Sequence, residues 1–246
     1  MSEPRTVTDR TAAAAGVLQA LESRFSVRGY LDRPVPHVLV ERILETASRA
    51  PSGNNTQPWQ VHVLTGLARD RLGDAILAAR KDEEDEPYPE YDYYPEAWPE
   101  PYRARRRANG WALYNLLGID KGDRAKSRAW HDKNFRFFGA PVGLILTRDR
   151  RLGLGALIDL GMFLEGVATA ARGLGLDTCT QAAFAHYHAV IRRELNLPVG
   201  DIVICGMSLG FADMSAPANR LRTTREPVSG FATFHSDTAT SIDGDL

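Results

Sequence analysis

Cysteine is nearly absent from this chain. Its 246 residues include two, Cys179 and Cys205, 26 positions apart and in no CxxC spacing. That excludes a secreted disulfide scaffold and leaves reduced, buried thiols as the expectation. No run approaches the roughly 18 consecutive apolar residues of a membrane span, and the opening MSEPRTVTDR lacks the apolar core of a signal peptide. Net charge is also scarce, at −1, which argues against a general attraction to nucleic acid or acidic membranes. A disordered chain would carry fewer apolar residues than the 43% here and a larger net charge. There are no internal repeats, no GxxxxGK[ST] phosphate loop and no HExxH. The run from Gly173 to Thr178 starts like GxGxxG but lacks the third glycine and follows a helix where a dinucleotide site needs a strand. His186 and His188, two apart, point to different faces of a helix, so no metal site is expected. What remains is a soluble, cytoplasmic globular protein.

What is present is a series of amphipathic segments. Thr11–Glu22 is alanine-rich and reads as a helix. Arg24–Tyr30 breaks that pattern, and Pro34 and Pro36 prevent its return. Val40, Ile43, Leu44 and Ala47 recur at helical spacing, until Pro51 and a turn-rich run end the helix. Trp59–Leu64 reads as a strand, and Leu72, Ile76 and Ala79 mark a further helix. Arg103–Leu117 and residues 123–138 are read as helices and Val142–Thr147 as a strand. Gly155–Leu174, apolar on nearly every face, reads as a buried central helix. Gly175–Ala185 is read as irregular, Tyr187–Leu195 as a helix and Asp201–Leu209 as a buried strand; the tail from Asp213 is polar. Helices outnumber strands without βαβ alternation, so the fold class is α+β.

Residues 82–102 differ from the rest. An acidic run, Asp82–Glu86, precedes five prolines and five tyrosines, a density that excludes a regular helix or central strand. So many aromatics point to an insertion packed over part of the molecule. The basic run Arg103, Arg105, Arg106 and Arg107 beside it reads as a solvated helix face.

Two segments carry chemistry. In an extended chain Arg24, Ser26 and Arg28 share one side, and two guanidiniums around a hydroxyl suit a phosphate. The run Pro51–Trp59 concentrates three amides and two hydroxyls before a buried strand, which suits the mixed edge of a heteroaromatic ring. A turn bonding its own backbone is the alternative.

Arg-x-Ser-x-Arg followed by Pro-Ser-x-x-Asn-x-Gln-Pro-Trp resembles the FMN-dependent nitroreductase family, in its nitrobenzoate or nitroarene reductase branch. Asp177–Ala183 and Asn219–Arg225 fall in the order that family uses. The resemblance implies a mixed central sheet wrapped by helices, in an intertwined homodimer with FMN between subunits. It implies that Arg24, Phe25, Ser26 and Arg28 hold the FMN phosphate and reach the flavin, with Arg28 stabilising its reduced form. Asn55 and Gln57 would line the flavin from the partner subunit, Gln181, Ala182 and Ala183 would pass near its N5, and Thr223 and Arg225 would touch the phosphate. The implied activity is ping-pong hydride transfer from NAD(P)H through flavin N5 to nitroaromatic or quinone-type acceptors, with no catalytic acid–base pair in the protein. Reductive dehalogenation, flavin fragmentation and a non-catalytic FMN store or sensor are alternatives on the same fold. Contacts spread from Arg24 to Arg225 imply one domain over 1–246, with 82–102 as a wall or lid of the acceptor pocket.

Overall fold

The structure, a computed structural model, describes residues 7–82 and 89–235. A four-stranded sheet has the order β1-β2-β4-β3, with β1 Gln60–Thr65, β2 Val142–Asp149, β3 Asp177–Gln181 and β4 Asp201–Gly210. Around it lie α1 Val7–Ser23, α2 His37–Ala47, α3 Gly66–Asp82, α4 Tyr102–Leu117, α5 Arg124–Asp132, α6 Gly155–Gly173 and α7 His188–Glu194. The α+β class therefore holds. Among the described residues every strand pairing is antiparallel, in place of the mixed sheet the resemblance implies. The reason is topological: α6 returns the chain so that β3 runs in the direction of β2, but β4 inserts between them and opposes both.

β2 and β4 are continuous apolar runs because both of their faces are covered. Val142, Leu144 and Leu146 of β2, with Ile202, Ile204, Cys205, Met207 and Leu209 of β4, meet α2 and α6 through Ile43, Leu160, Phe163 and Val167. On the opposite face Ile145 and Val203 meet Leu72, Ile76, Ile191, Phe137 and Phe184. Two glycines on that face admit two rings: a β-carbon at Gly143 or Gly206 would overlap Phe137 or Phe184, which stack at 4.6 Å. The β2–β4 ladder pairs Leu146 with Cys205 and Thr147 with Val203, skipping Ile204. This bulge puts the neighbours Ile204 and Cys205 on one face.

Three expected elements change. The helix read over 123–138 ends at Asp132, and Lys133–Gly139 continues as tight turns in which Phe137 and Phe138 take left-handed φ of 49° and 54°. Left-handed backbone is costly for such residues, and burial of both rings offsets it. The stretch read as irregular contains β3. α6 is not buried all round: Ile158 is 68% and Met162 37% exposed in the single chain.

Asp82 ends α3 and Tyr102 starts α4; between them residues 89–101 have no regular helix or strand, and residues 83–86 of the acidic run lie outside the described residues. The insertion is packed against the body as expected. Glu90 pairs with Arg150, with Arg192 at 3.1 Å and with His188 at 3.5 Å, and the Tyr91 hydroxyl donates to the Ile204 carbonyl that the bulge leaves out of the ladder. Both cysteines are free and buried, as expected. Burial pushes the Cys205 thiol up to about 12. No described helix is long and apolar enough to cross a membrane.

Candidate active site

The segment after α1 runs extended along β3 and the end of β4. Val27 N donates to Thr178 O at 3.0 Å, Leu31 N donates to Phe211 O at 2.9 Å, and Tyr30 bridges to Ala212. A fully buried residue from the C-terminal part, Asn219, fastens it. Its Oδ1 accepts from Arg28 N at 2.7 Å, while Nδ2 donates to Gly29 O at 2.7 Å and Asp213 O at 2.8 Å. The approach is so close that a β-carbon on Gly29 would lie 2.6 Å from that of Ala216. Glycine is required there.

Backbone anchorage aims the Arg28 side chain into a cleft of about 690 Å³ between α4, α5, β3 and the turn after β3. That volume is in the ordinary range for small-molecule sites, roughly 300–1,000 Å³. α4 contributes Arg106, Asn109 and Leu113, spaced to share one helix face, and α5 contributes Arg128, Trp130 and His131. Asp123 starts α5 by accepting from Lys126 N at 2.9 Å, and left-handed Gly118 ends α4. Buried Leu113, Trp130, Phe135 and Phe138 form the interior, and Tyr94 of the insertion reaches the cleft as well.

Among the described residues the lining holds four arginines, Arg28, Arg80, Arg106 and Arg128, and no carboxylate. Of the four, Arg80 alone has an acidic partner among the described residues, Asp132 at 2.7 Å; it also donates to the Tyr187 hydroxyl at 3.1 Å. Burial, reinforced by the Arg80 charge, lowers the pKa of His131, so that ring is neutral at pH 7. The four arginines keep their positive charge independent of pH.

Gln181 closes the end of β3. Buried to 2% exposure, it donates from Nε2 to Asn134 O at 2.8 Å, while its Oε1 is buried without a donor. An unsatisfied acceptor of this kind costs about 1–3 kcal/mol. Beside it the Cys179 thiol is pushed up by burial, an effect that the Arg28 charge and the Ser26 hydroxyl reduce.

Of the residues singled out in the sequence, Arg28, Gln181, Ala182 and Ala183 line this cleft together. Ser26 faces Cys179, another lining residue. Arg24 pairs with Glu165 of α6 at 3.0 Å, and Phe25 lies under the Arg222 guanidinium, 4.0 Å from ring centre to Cζ. Thr223 and Arg225 sit on an exposed strap and bond each other at 2.7 Å. Asn55 and Gln57 do not line the cleft. They stand exposed, with left-handed φ of 58° and 48°, on a loop tied to α6 by Gly53 N donating to Asp159 at 3.2 Å. Sequence reasoning missed Asn219, Arg80, Arg106 and Arg128. Arg106, Asn109 and Leu113 share a helical spacing, but spacing does not tell a cleft wall from a solvated face.

The chain matches the nitroreductase family over residues 21–211. It is 43% identical to a nitrobenzene nitroreductase of Ectopseudomonas oleovorans over 87% of this chain and 94% of that protein. It is 42% identical to a 4-nitrobenzoate reductase of Nocardioides sp. (strain LMS-CY), covering 87% of each. Among solved structures it is similar to the FMN and NADPH-dependent nitroreductase NfnB from sphigopyxis sp. strain HMH. That match has a TM-score of 0.87 and 40% identity over 89% of this chain and 99% of that one.

Proposed function

The chain belongs to the nitroreductase family, and we propose that it is an FMN-dependent oxidoreductase that uses NAD(P)H to reduce nitroaromatic acceptors. One observation carries this reading: Arg28, Gln181, Ala182 and Ala183, distant in sequence, meet in a single arginine-rich, aromatic-floored cleft. A flavin mononucleotide needs an apolar slot, mixed hydrogen-bonding groups along a heteroaromatic edge, and cations for its phosphate. The cleft offers the first two, and the arginines in and beside it offer the third. The buried Gln181 Oε1, which lacks a donor among the described residues, suits a ligand N–H. FMN, when bound, supplies the two-electron chemistry that links a nicotinamide to an electron-poor acceptor.

The chain's own residues do the rest. Arg28 holds a permanent positive charge in the cleft and favours an anionic ligand state. Leu113, Trp130 and Phe138 exclude water from the interior. Arg24, Phe25, Ser26, Thr223 and Arg225 serve the phosphate end. Quinones, also flat and electron-poor, belong to the same acceptor class.

The working unit in this reading is a cytoplasmic homodimer. Exposed Ile158 and Met162 on α6, with Val17, Leu18 and Leu21 on α1, form apolar surface that a second copy would cover. The loop bearing Asn55 and Gln57 is mounted on Asp159, next to Ile158 on that helix, so it would face the other subunit. Steady-state assays with NADH or NADPH and a nitroarene, a quinone and a halophenol test the reading. Turnover of the nitroarene is expected. Turnover of the halophenol alone, or of none, overturns it.

A further inference from the structure

The basic run of α4 is not uniformly solvated. Arg103 pairs with Glu100 at 2.7 Å and Arg105 with Glu226 at 2.7 Å. Arg106 has no acidic partner among the described residues; its guanidinium lies 5.5 Å from the Trp98 ring centre and it lines the cleft. Across from α4, Arg128 of α5 also lacks an acidic partner among the described residues and donates only to the Arg80 carbonyl, at 2.8 Å. Both arginines are exposed and line the cleft together with buried apolar residues, Leu113 on α4 and Trp130 on α5.

We propose that Arg106 and Arg128 form an anion-binding subsite at the cleft rim, which selects ligands that pair an aromatic ring with an anionic group. The proposal rests on the oxidoreductase reading for its substrates, although the subsite itself does not need turnover to be detected. A flat ring entering between Leu113, Trp130 and Phe138 leaves its far substituent at the rim. There two guanidinium forks, with no carboxylate among the described lining residues, suit the oxygen pair of a carboxylate or phosphate. Arg28 and Arg80 do not fill this role: Arg28 lies with Cys179 at the β3 side, and Arg80 is already neutralised by Asp132. Two ligands of the proposed reaction carry such a group. One is an aromatic acceptor with a ring carboxylate, and the other is NADPH, through the ribose phosphate that NADH lacks.

The test compares isosteric pairs on FMN-loaded wild-type protein and on Arg106→Gln, Arg128→Gln and the double variant. The first arm is the ratio of kcat/KM for 4-nitrobenzoate to that for neutral 4-nitrobenzamide, with NADH as donor. The second is the ratio for NADPH to NADH, with 4-nitrobenzamide as acceptor. Charge-assisted hydrogen bonds of this type predict a fall of about 10–100-fold in the double variant. A fall in the first ratio identifies the acceptor carboxylate, and a fall in the second the nucleotide phosphate; either supports the subsite. Ratios within about twofold of wild type in both arms overturn it. If the wild type oxidises neither nucleotide, the oxidoreductase reading has failed, and calorimetric titration of 4-nitrobenzoate into the same proteins decides the subsite alone. Weaker binding by the double variant then supports it, and equal or absent binding to all overturns it.

Discussion

The side-chain amide of Gln181 donates to the carbonyl of Asn134 at 2.8 Å, which fixes its orientation and leaves Oε1 buried with no donor. Turning the amide over would set two carbonyl oxygens against each other, so no described residue satisfies this acceptor. A ligand N–H in the cleft can. This joins β3, which carries Gln181, to the turns after α5, which carry Asn134, and both residues line the proposed FMN site.

Replacing Gln181 by leucine removes the orphaned acceptor together with the proposed ligand contact. Apo-protein melting temperature is expected to stay within a few degrees, while FMN binding weakens about tenfold, or about 1.4 kcal/mol. Fluorescence titration of apoprotein with FMN measures this. Unchanged affinity would remove Gln181 from the cofactor site.

Asn219→Leu is expected to strand Arg28 N, Gly29 O and Asp213 O, which now share one buried amide. The cost should be at least about 2 kcal/mol, seen as a lower denaturant midpoint. A neutral outcome would mean that the strap and the Arg28 segment hold together by other contacts.

Glu90 links the insertion to Arg150, Arg192 and His188. Burial alone would raise its pKa, but the Arg150 hydrogen bond and the charges of His188, Arg150 and Arg192 prevail and lower it. A carboxylate with a lowered folded pKa stabilises above its ordinary range and loses that contribution as pH falls through the folded value. Glu90→Gln should therefore cost about 1–3 kcal/mol at pH 7, with the gap to wild type closing as the solution is acidified below the carboxylate range. Melting curves across pH check this, and a gap that widened in acid would refute it.

Deleting residues 84–100 would remove the Glu90 and Tyr91 anchors along with any lid. Tyr94→Ala is the cleaner change, since Tyr94 is the described insertion residue that lines the cleft. Acceptor preference, read as the kcat/KM ratio between a nitroarene and a quinone, should shift several-fold, with FMN affinity retained. Identical ratios would show that the insertion is no wall of the acceptor pocket.

Legibility in the sequence followed how each residue is buried. β2 and β4 are apolar runs and announce themselves. β3 does not: Asp177 is buried by pairing with Arg172 at 3.0 Å, and Gln181 by Asn134, so its buried face reads as polar. The helix expected over 123–138 failed at Phe137 and Phe138, because an apolar periodicity does not reveal left-handed backbone. Proline density correctly removed regular structure from the insertion. For the site, Arg28, Gln181, Ala182 and Ala183 were recognisable from local motifs. Arg106 and Arg128 were not, since spacing alone cannot distinguish a helix face turned to open solvent from one turned to a cleft.

The central claim is that this chain holds FMN and reduces it with a nicotinamide. Anaerobic mixing of the FMN-reconstituted protein with NADPH, and separately with NADH, followed by a nitroarene, tests it most directly. The account predicts that the visible flavin absorbance bleaches with at least one nucleotide and returns when the nitroarene is added. A protein that cannot be reconstituted with FMN, or whose flavin absorbance persists with both nucleotides, would contradict it.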